Sequence, residues 1–361
     1  MLCHSPLQSH EVSRSSSDGF LESLIVGNRL QKAASDGDLD GHISHHFRES
    51  PLKKLNTQMT SKCTRFVLPR SYDKIVVGSH TVIGVEHNNN EDRWFKVESH
   101  EQENDSVSHF GIIDGHGGPG AVDFLCQMLP AELEKLKTCQ IDEHNEYEPP
   151  KLLQNNLKRA IAQAELGLRR YARKYKDESG ACLALVSVQG PFVAIANLGD
   201  CAAILSDSEG HAIPLTQVHR GTEPAERDRI HEASGFIKKG RVLGILEPSR
   251  CLGDIGLKRN HPGVISCCPY LGAAVLGNHA PPNGEWGFPP RHTTTTQANK
   301  EFIIMGTDGL WDVMSYTDAV RIVKDSIEEH GDADQAAQDL VGFAISRHST
   351  DDITALVLYF E

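Results

Sequence analysis

Between residues 181 and 205 the chain carries three apolar runs in close succession, 181–188, 192–198 and 202–205, separated only by the turns Gln189-Gly190 and Gly199-Asp200. Short runs rich in β-branched residues and bounded by glycine are expected as buried strands. The rest of the chain is read around this block. Residues 75–77 and 81–85 are expected as a pair of strands, followed by strands at 94–97 and 110–113. Amphipathic segments cover 119–138 and 151–175. In the second, Leu153, Leu157, Ala160, Ile161, Ala164, Leu168 and Tyr171 share one helical face, a packing stripe. A short helix over 223–234 is closed by Gly235, and 236–257 continue as strand and loop. A buried-type strand spans 302–306. One helix then starts after Ser315, whose side chain can cap it with Asp318 three residues on, and another starts at Asp332; a last strand spans 353–358. Strands pairing over long separations, with helices in pairs between them, give an α+β fold with largely antiparallel sheets and not an alternating βαβ series.

A chain of 361 residues can hold two domains or one large domain with a tail. Residues 1–75 read as a flexible tail: Ser15-Ser16-Ser17-Asp18 and His45-His46 lie in a stretch with little periodicity beyond one short helix at 21–30. Residues 258–300, with six prolines, read as a long irregular insertion with one strand near 273–276. The net charge of −13 argues against a nucleic-acid or anionic-membrane partner, which would need basic surface. No run of 18 apolar residues offers a membrane span. Nine scattered cysteines without a Cys-x-x-Cys pair fit a reducing, intracellular compartment, cytoplasmic or nuclear.

The chemistry is concentrated where apolar strands meet acidic turns. Asn90-Glu91-Asp92, Ile113-Asp114-Gly115-His116 and Gly306-Thr307-Asp308-Gly309 repeat that device, and Asp351-Asp352 places carboxylates at the start of the last strand. If these strand ends converge, the carboxylates cannot all remain ionised without cations. Ligands that are all oxygen favour Mg²⁺ or Mn²⁺ over zinc. Two such ions roughly 3.5–4 Å apart can bridge a water and activate it.

Seven motifs carry a family resemblance. Asn90-Glu91-Asp92-Arg93, Asp114-Gly115-His116-Gly117-Gly118, Ser179-Gly180-Ala181-Cys182, Ala196-Asn197-Leu198-Gly199-Asp200, Ser249-Arg250-Cys251-Leu252-Gly253-Asp254, Asp308-Gly309-Leu310-Trp311-Asp312 and Asp351-Asp352-Ile353-Thr354 occur in one order. In that order they resemble the PPM, or type 2C, metal-dependent serine/threonine phosphatases. The resemblance covers roughly 75–361 and implies a central antiparallel β-sandwich flanked by helices on both faces, with two Mg²⁺ or Mn²⁺ ions in a cleft at one end. It implies that Asp114 bridges the ions, that the Gly115 carbonyl ligates one, and that Asp308 and Asp351 complete the other. Glu91 and Asp92 would act largely through bound waters, His116 as the general acid, and Asp200 with Asp312 as a weaker third site. Phosphoprotein substrates and a monomeric enzyme are expected.

Departures from the family pattern bear on strength. Where the family carries a phosphate-binding arginine, this chain has His87, which lacks the bidentate fork and is charged only part of the time near neutral pH. Weaker phosphate capture is expected unless Arg93 or Arg250 compensates. Cys182 and Cys201-Ala202 replace the usual threonine and serine-arginine, changes expected to be tolerated in packing. A pseudophosphatase scaffold on the same fold is the alternative, although such proteins tend to lose metal carboxylates that persist here. A cysteine-based phosphatase is excluded, because no cysteine is followed six residues later by arginine.

Overall fold

Alternate residues of the central strands face two different cores, and this sets the layering. A computed structural model describes residues 72, 74–85, 87–98, 106–136, 149–207, 209–277 and 301–361. The expected tail, its helix at 21–30 and its serine cluster lie outside those residues. Strands β1 (Ile75–Val82), β2 (Arg93–Val97) and β3 (Ser108–His116) precede helices α1 (Gly120–Lys135) and α2 (Pro149–Tyr175). Then come β4 (Gly180–Gln189), β5 (Phe192–Leu198), β6 (Ala202–Ser206), β7 (Ala212–Pro214) and α3 (Pro224–Glu232). A two-residue hairpin, β8 (Ile237–Lys238) and β9 (Arg241–Val242), leads to β10 (Leu252–Gly253), α4 (Ile255–Asn260) and β11 (Tyr270–Val275). The remaining elements are β12 (Phe302–Gly306), α5 (Asp308–Trp311), α6 (Tyr316–His330), α7 (Ala333–Ser346) and β13 (Ile353–Phe360).

One sheet has the order β1-β13-β12-β6-β7 and the other β11-β5-β4-β3-β2, with β10 added beside β4. Every pairing is antiparallel. In β4, Cys182, Ala184 and Val186 join β13 residues Leu356, Leu358 and Phe360 in a core between the sheets. The alternating Ala181, Leu183 and Leu185 face α1 and α2 through Leu125, Leu129, Leu157 and Ile161. On the far side, Ala355, Val357 and Tyr359 pack against Val320, Val323, Leu340 and Val341 of α6 and α7. The result is the expected antiparallel sandwich with a helical layer on each face. Ser315 and Asp332 cap α6 and α7 by accepting hydrogen bonds from the backbone N–H of Asp318 and Asp334.

Three expectations are corrected. Residues 75–77 and 81–85 are not a strand pair: 75–77 and 81–82 lie along β1, one strand paired in continuous register with β13 from Ile75↔Phe360 to Val82↔Ile353, and 83–85 follow it outside the strand. Gly78 marks a close approach and not a turn. A Cβ there would collide with the Ala333 backbone at the start of α7, and the adjacent Ser79 N–H donates to Asp334 Oδ1 at 2.9 Å. The stretch from 258 is regular up to residue 277, with α4 and then β11 paired to β5; residues 278–300 lie outside the described ones. The residue in the left-handed conformation that closes α3 is Ser234 (φ 61°) and not Gly235. Gly235 donates to Ile230 O at 2.8 Å and leaves room for Val264 and Ile230 beside it.

Candidate active site

Strand ends from both sheets meet at one edge of the sandwich. Asp114, Gly115 and His116 close β3, Asp200 sits in the β5–β6 turn, and Asp308 follows β12 as the first residue of α5. Single carboxylate oxygens of Asp114, Asp200 and Asp308 all lie within 4.8 Å of one another. They open onto a cleft of about 500 Å³, whose wall also includes His87, Glu91, Gly115, His116, Arg241, Glu247 and Asp351. Asp200 is therefore a full member of the cluster. Asp92, by contrast, is buried beneath it and accepts a hydrogen bond from Thr307 Oγ1 at 2.9 Å, fixing the residue that precedes Asp308. Asp312 lies at the outer edge, half exposed, against Arg220.

Burial is the main force on these carboxyls. It pushes Asp114 well above the usual carboxylate range, and the charges of Asp308, Asp92, Asp200 and Asp351 push the same way. Asp308 is raised first by burial and then by Asp200, Asp351 and Asp312. Asp92 is raised to about 7 by burial, against the hydrogen bonds of Thr354 and Thr307. Such a set is frustrated without a cation at neutral pH. Its donors are all oxygen, on rigid strand ends, so the residues present fit hard divalent ions of the Mg²⁺ or Mn²⁺ kind.

The supporting contacts were largely invisible to the sequence. Asp352 accepts from the backbone N–H of Gly84 and of Glu91, each at 2.7 Å, and fastens the loop that carries Glu91 and His87. His87 Nδ1 lies 3.2 Å from Asp352 and 3.7 Å from Asp351. Its hydrogen bond to Asp352 raises its pKa, against a smaller effect of burial. Arg93 is occupied by Asp123 and by the carbonyls of Asn90 and Asp92, and Arg250 by Glu226 and the Cys268 carbonyl, so neither stands in for an arginine at 87. Among the described residues, the arginine lining the cleft is Arg241, which also pairs with Glu247 at 3.1 Å. Cys182 and Cys201 pack in the core between the sheets, their thiols pushed up by burial.

Two further residues escaped sequence reasoning. His116 Nε2 lies 2.7 Å from Asp254 Oδ2, a carboxylate only 3% exposed, on a residue with left-handed backbone (φ 49°). The second is Arg220. Its Nε is 2.7 Å from Asp200, and one terminal nitrogen reaches Asp312 at 2.9 Å and Asp308 at 3.3 Å. Burial pulls the Arg220 pKa down, and the carboxylates of Asp200 and Asp312 more than reverse that. The Gly253-Asp254 motif was a visible signal for the first, but nothing local to Arg220 announced the second.

Comparison with known proteins places this geometry. The profile of the protein phosphatase 2C family matches residues 76–353. The chain is 30% identical over 254 residues to "Probable protein phosphatase 2C 2" of Oryza sativa subsp. japonica, covering 70% of this chain and 61% of that protein. It is 32% identical over 257 residues to "Protein phosphatase 1L" of Bos taurus, covering 70% of this chain and 64% of that protein. The match thus spans about three fifths of these relatives' length. Among solved structures, a serine-threonine phosphatase 2C from Toxoplasma gondii superposes with a TM-score of 0.63 at 21% identity, over 81% of this chain and 98% of that one, and shows the same fold. The chain belongs to the protein phosphatase 2C family.

Proposed function

We propose that this protein is a metal-dependent phosphatase that hydrolyses phosphoserine and phosphothreonine in protein substrates. The observation that carries this reading is the convergence of Asp114, Asp200 and Asp308 within 4.8 Å at the mouth of a cleft that also presents His116. Asp114, Asp308 and Asp351, with the Gly115 carbonyl, would hold two Mg²⁺ or Mn²⁺ ions, and Glu91 would act through their water shell. Bound there, such ions supply charge neutralisation and an activated water for attack on phosphorus.

The protein's own residues do the rest. Arg241 and His87, on the cleft wall, are the cationic groups available to the phosphate dianion. As the ester P–O bond breaks, His116 gives its proton to the departing seryl or threonyl oxygen. Asp254 holds the imidazole in place for that transfer. The scaffold alternative finds no support in a cluster whose carboxylates are all present.

The test is turnover of a phosphothreonine peptide with Mn²⁺. The wild-type chain should release inorganic phosphate. Asp114→Asn and Asp308→Asn should each lose at least about 10²-fold, more than changes outside a ligand set usually cost, while remaining folded because carboxylate repulsion is relieved. Turnover at the wild-type level in both variants would overturn the assignment.

A further inference from the structure

We propose that His116, Cys251 and Asp254 form a binding site for a thiophilic divalent ion of the zinc and cadmium class, next to the all-oxygen cluster but chemically distinct from it. One ligand atom from each of the three residues lies within 4.8 Å of the others. Asp254 Oδ2 is the hub, 2.7 Å from His116 Nε2 and 3.0 Å from Cys251 Sγ. An imidazole nitrogen, a thiol sulfur and a carboxylate oxygen are the three donor types that zinc takes, at about 2.0–2.3 Å. In a tetrahedron those bonds set the ligand atoms about 3.3–3.6 Å apart. The trio must therefore spread by roughly half an ångström, with an ion replacing the protons that His116 Nε2 and Cys251 Sγ now direct at the hub.

Access comes from one side. Cys251 is fully buried and Asp254 nearly so, but the His116 side chain is 26% exposed on the cleft wall. An ion entering from the cleft meets the imidazole first and keeps its fourth position for water. Sulfur and imidazole donors select against Mg²⁺ and for zinc-like ions, the reverse of the preference around Asp114. Burial pushes the Cys251 thiol up, and the Lys258 ammonium, 2.9 Å from the Cys251 carbonyl, opposes that. Binding releases to solvent the Cys251 thiol proton and the proton on His116 Nε2, leaves the imidazole with its Nδ1 proton, and involves no change of oxidation state.

The functional consequence rests on the acid role proposed above for His116. With Nε2 bound to an ion and Asp254 drawn to that ion, His116 loses the hydrogen bond by which Asp254 holds its imidazole for proton transfer, so such an ion would slow turnover even with Mg²⁺ in excess. The binding itself does not depend on that role.

The full chain, saturated with Mg²⁺, would be titrated with cadmium chloride while the ultraviolet thiolate-to-cadmium absorption is followed, with no substrate present. A saturable band is expected that persists in the C267S/C268S double variant, which removes the neighbouring adjacent pair. C251S should abolish the band. H116Q, a change at the cleft wall that opens no core, should weaken cadmium binding at least about tenfold. An undiminished band in C251S, its disappearance in C267S/C268S, or wild-type cadmium affinity in H116Q would each overturn the site. Because the band needs no catalysis, a protein without phosphatase activity that still shows it would count against the proposed function and not against this site.

Discussion

The Arg220 guanidinium and the Asp200 carboxylate form a 2.7 Å ion pair at the mouth of the carboxylate cluster. Through its other nitrogens the same arginine reaches Asp308, Asp312 and Glu247. A half-buried cation is thus built into the place where the acidic charges are most crowded.

Replacing Arg220 by methionine should lower the stability of the metal-free protein by about 2–3 kcal/mol, because the buried Asp200 loses its counter-charge. The same change frees four carboxylates and removes a repelling cation, so added Mn²⁺ should stabilise the variant more than the wild type. Thermal unfolding with and without Mn²⁺ measures the difference, and equal Mn²⁺ shifts in both proteins would refute it.

Phosphate binding should depend on Arg241. Removing its side chain should raise KM about tenfold with kcat little changed, the pattern expected when ground-state and transition-state binding are lost together. His87→Arg should lower KM, since a permanent guanidinium would replace an imidazole now tied to Asp352. Steady-state kinetics on one phosphopeptide decides both.

Asp254→Asn should leave KM nearly unchanged and reduce kcat on phosphoserine peptides by about 10²-fold, within the range general acids contribute. An aryl phosphate, whose leaving phenolate needs no proton, should lose far less. Equal losses on the two substrates would mean that Asp254 supports the fold and not the proton donor.

Glu226 sets an acid limit on stability. Burial alone would push its carboxyl up, but hydrogen bonds from Arg250, Arg229 and Ser249 hold it at about 2. A carboxyl depressed in the folded state stabilises above its unfolded value near 4.5, and that stability fades as pH falls toward about 2. The contribution at neutral pH is on the order of 3 kcal/mol. Glu226→Gln should therefore be destabilised at pH 7, and its urea midpoint should fall less than the wild type's between pH 5 and pH 3.

The layered fold was legible because its strands and helices carry their own periodicity: the β4–β5 hairpin and the α2 stripe stand in the structure where the sequence put them, whereas the short Gly199-Asp200 turn carries the chain from one sheet to the other, so that β6 pairs with β12 and not with β5. The misread at 75–85 has a specific cause. Gly78 looks like punctuation in one dimension, whereas its role is to admit the Ala333 backbone from far along the chain. The acidic strand ends were legible as a set, since Asp114, Asp308 and Asp351 sit beside glycines or in pairs. Arg220 and Asp254 were not assigned roles, because their meaning lies in partners 20 and 138 residues away; Arg241 was not either, because only the folded loop brings it to the cleft wall. Long-range pairing leaves no periodic trace.

Strand β13 lies between β1 and β12, one place in from the edge of its sheet, and is the partner of β1. During synthesis β1 emerges early and must wait with an unpaired edge until residues 353–360 have been made. In the other sheet the waits are shorter, since β2, β3 and β4 each pair with the next strand in the chain. The two halves of the sandwich are therefore born unequal. The half that waits also brings Asp308 and Asp351 to the cleft, so the metal pocket is completed only when the slower half closes.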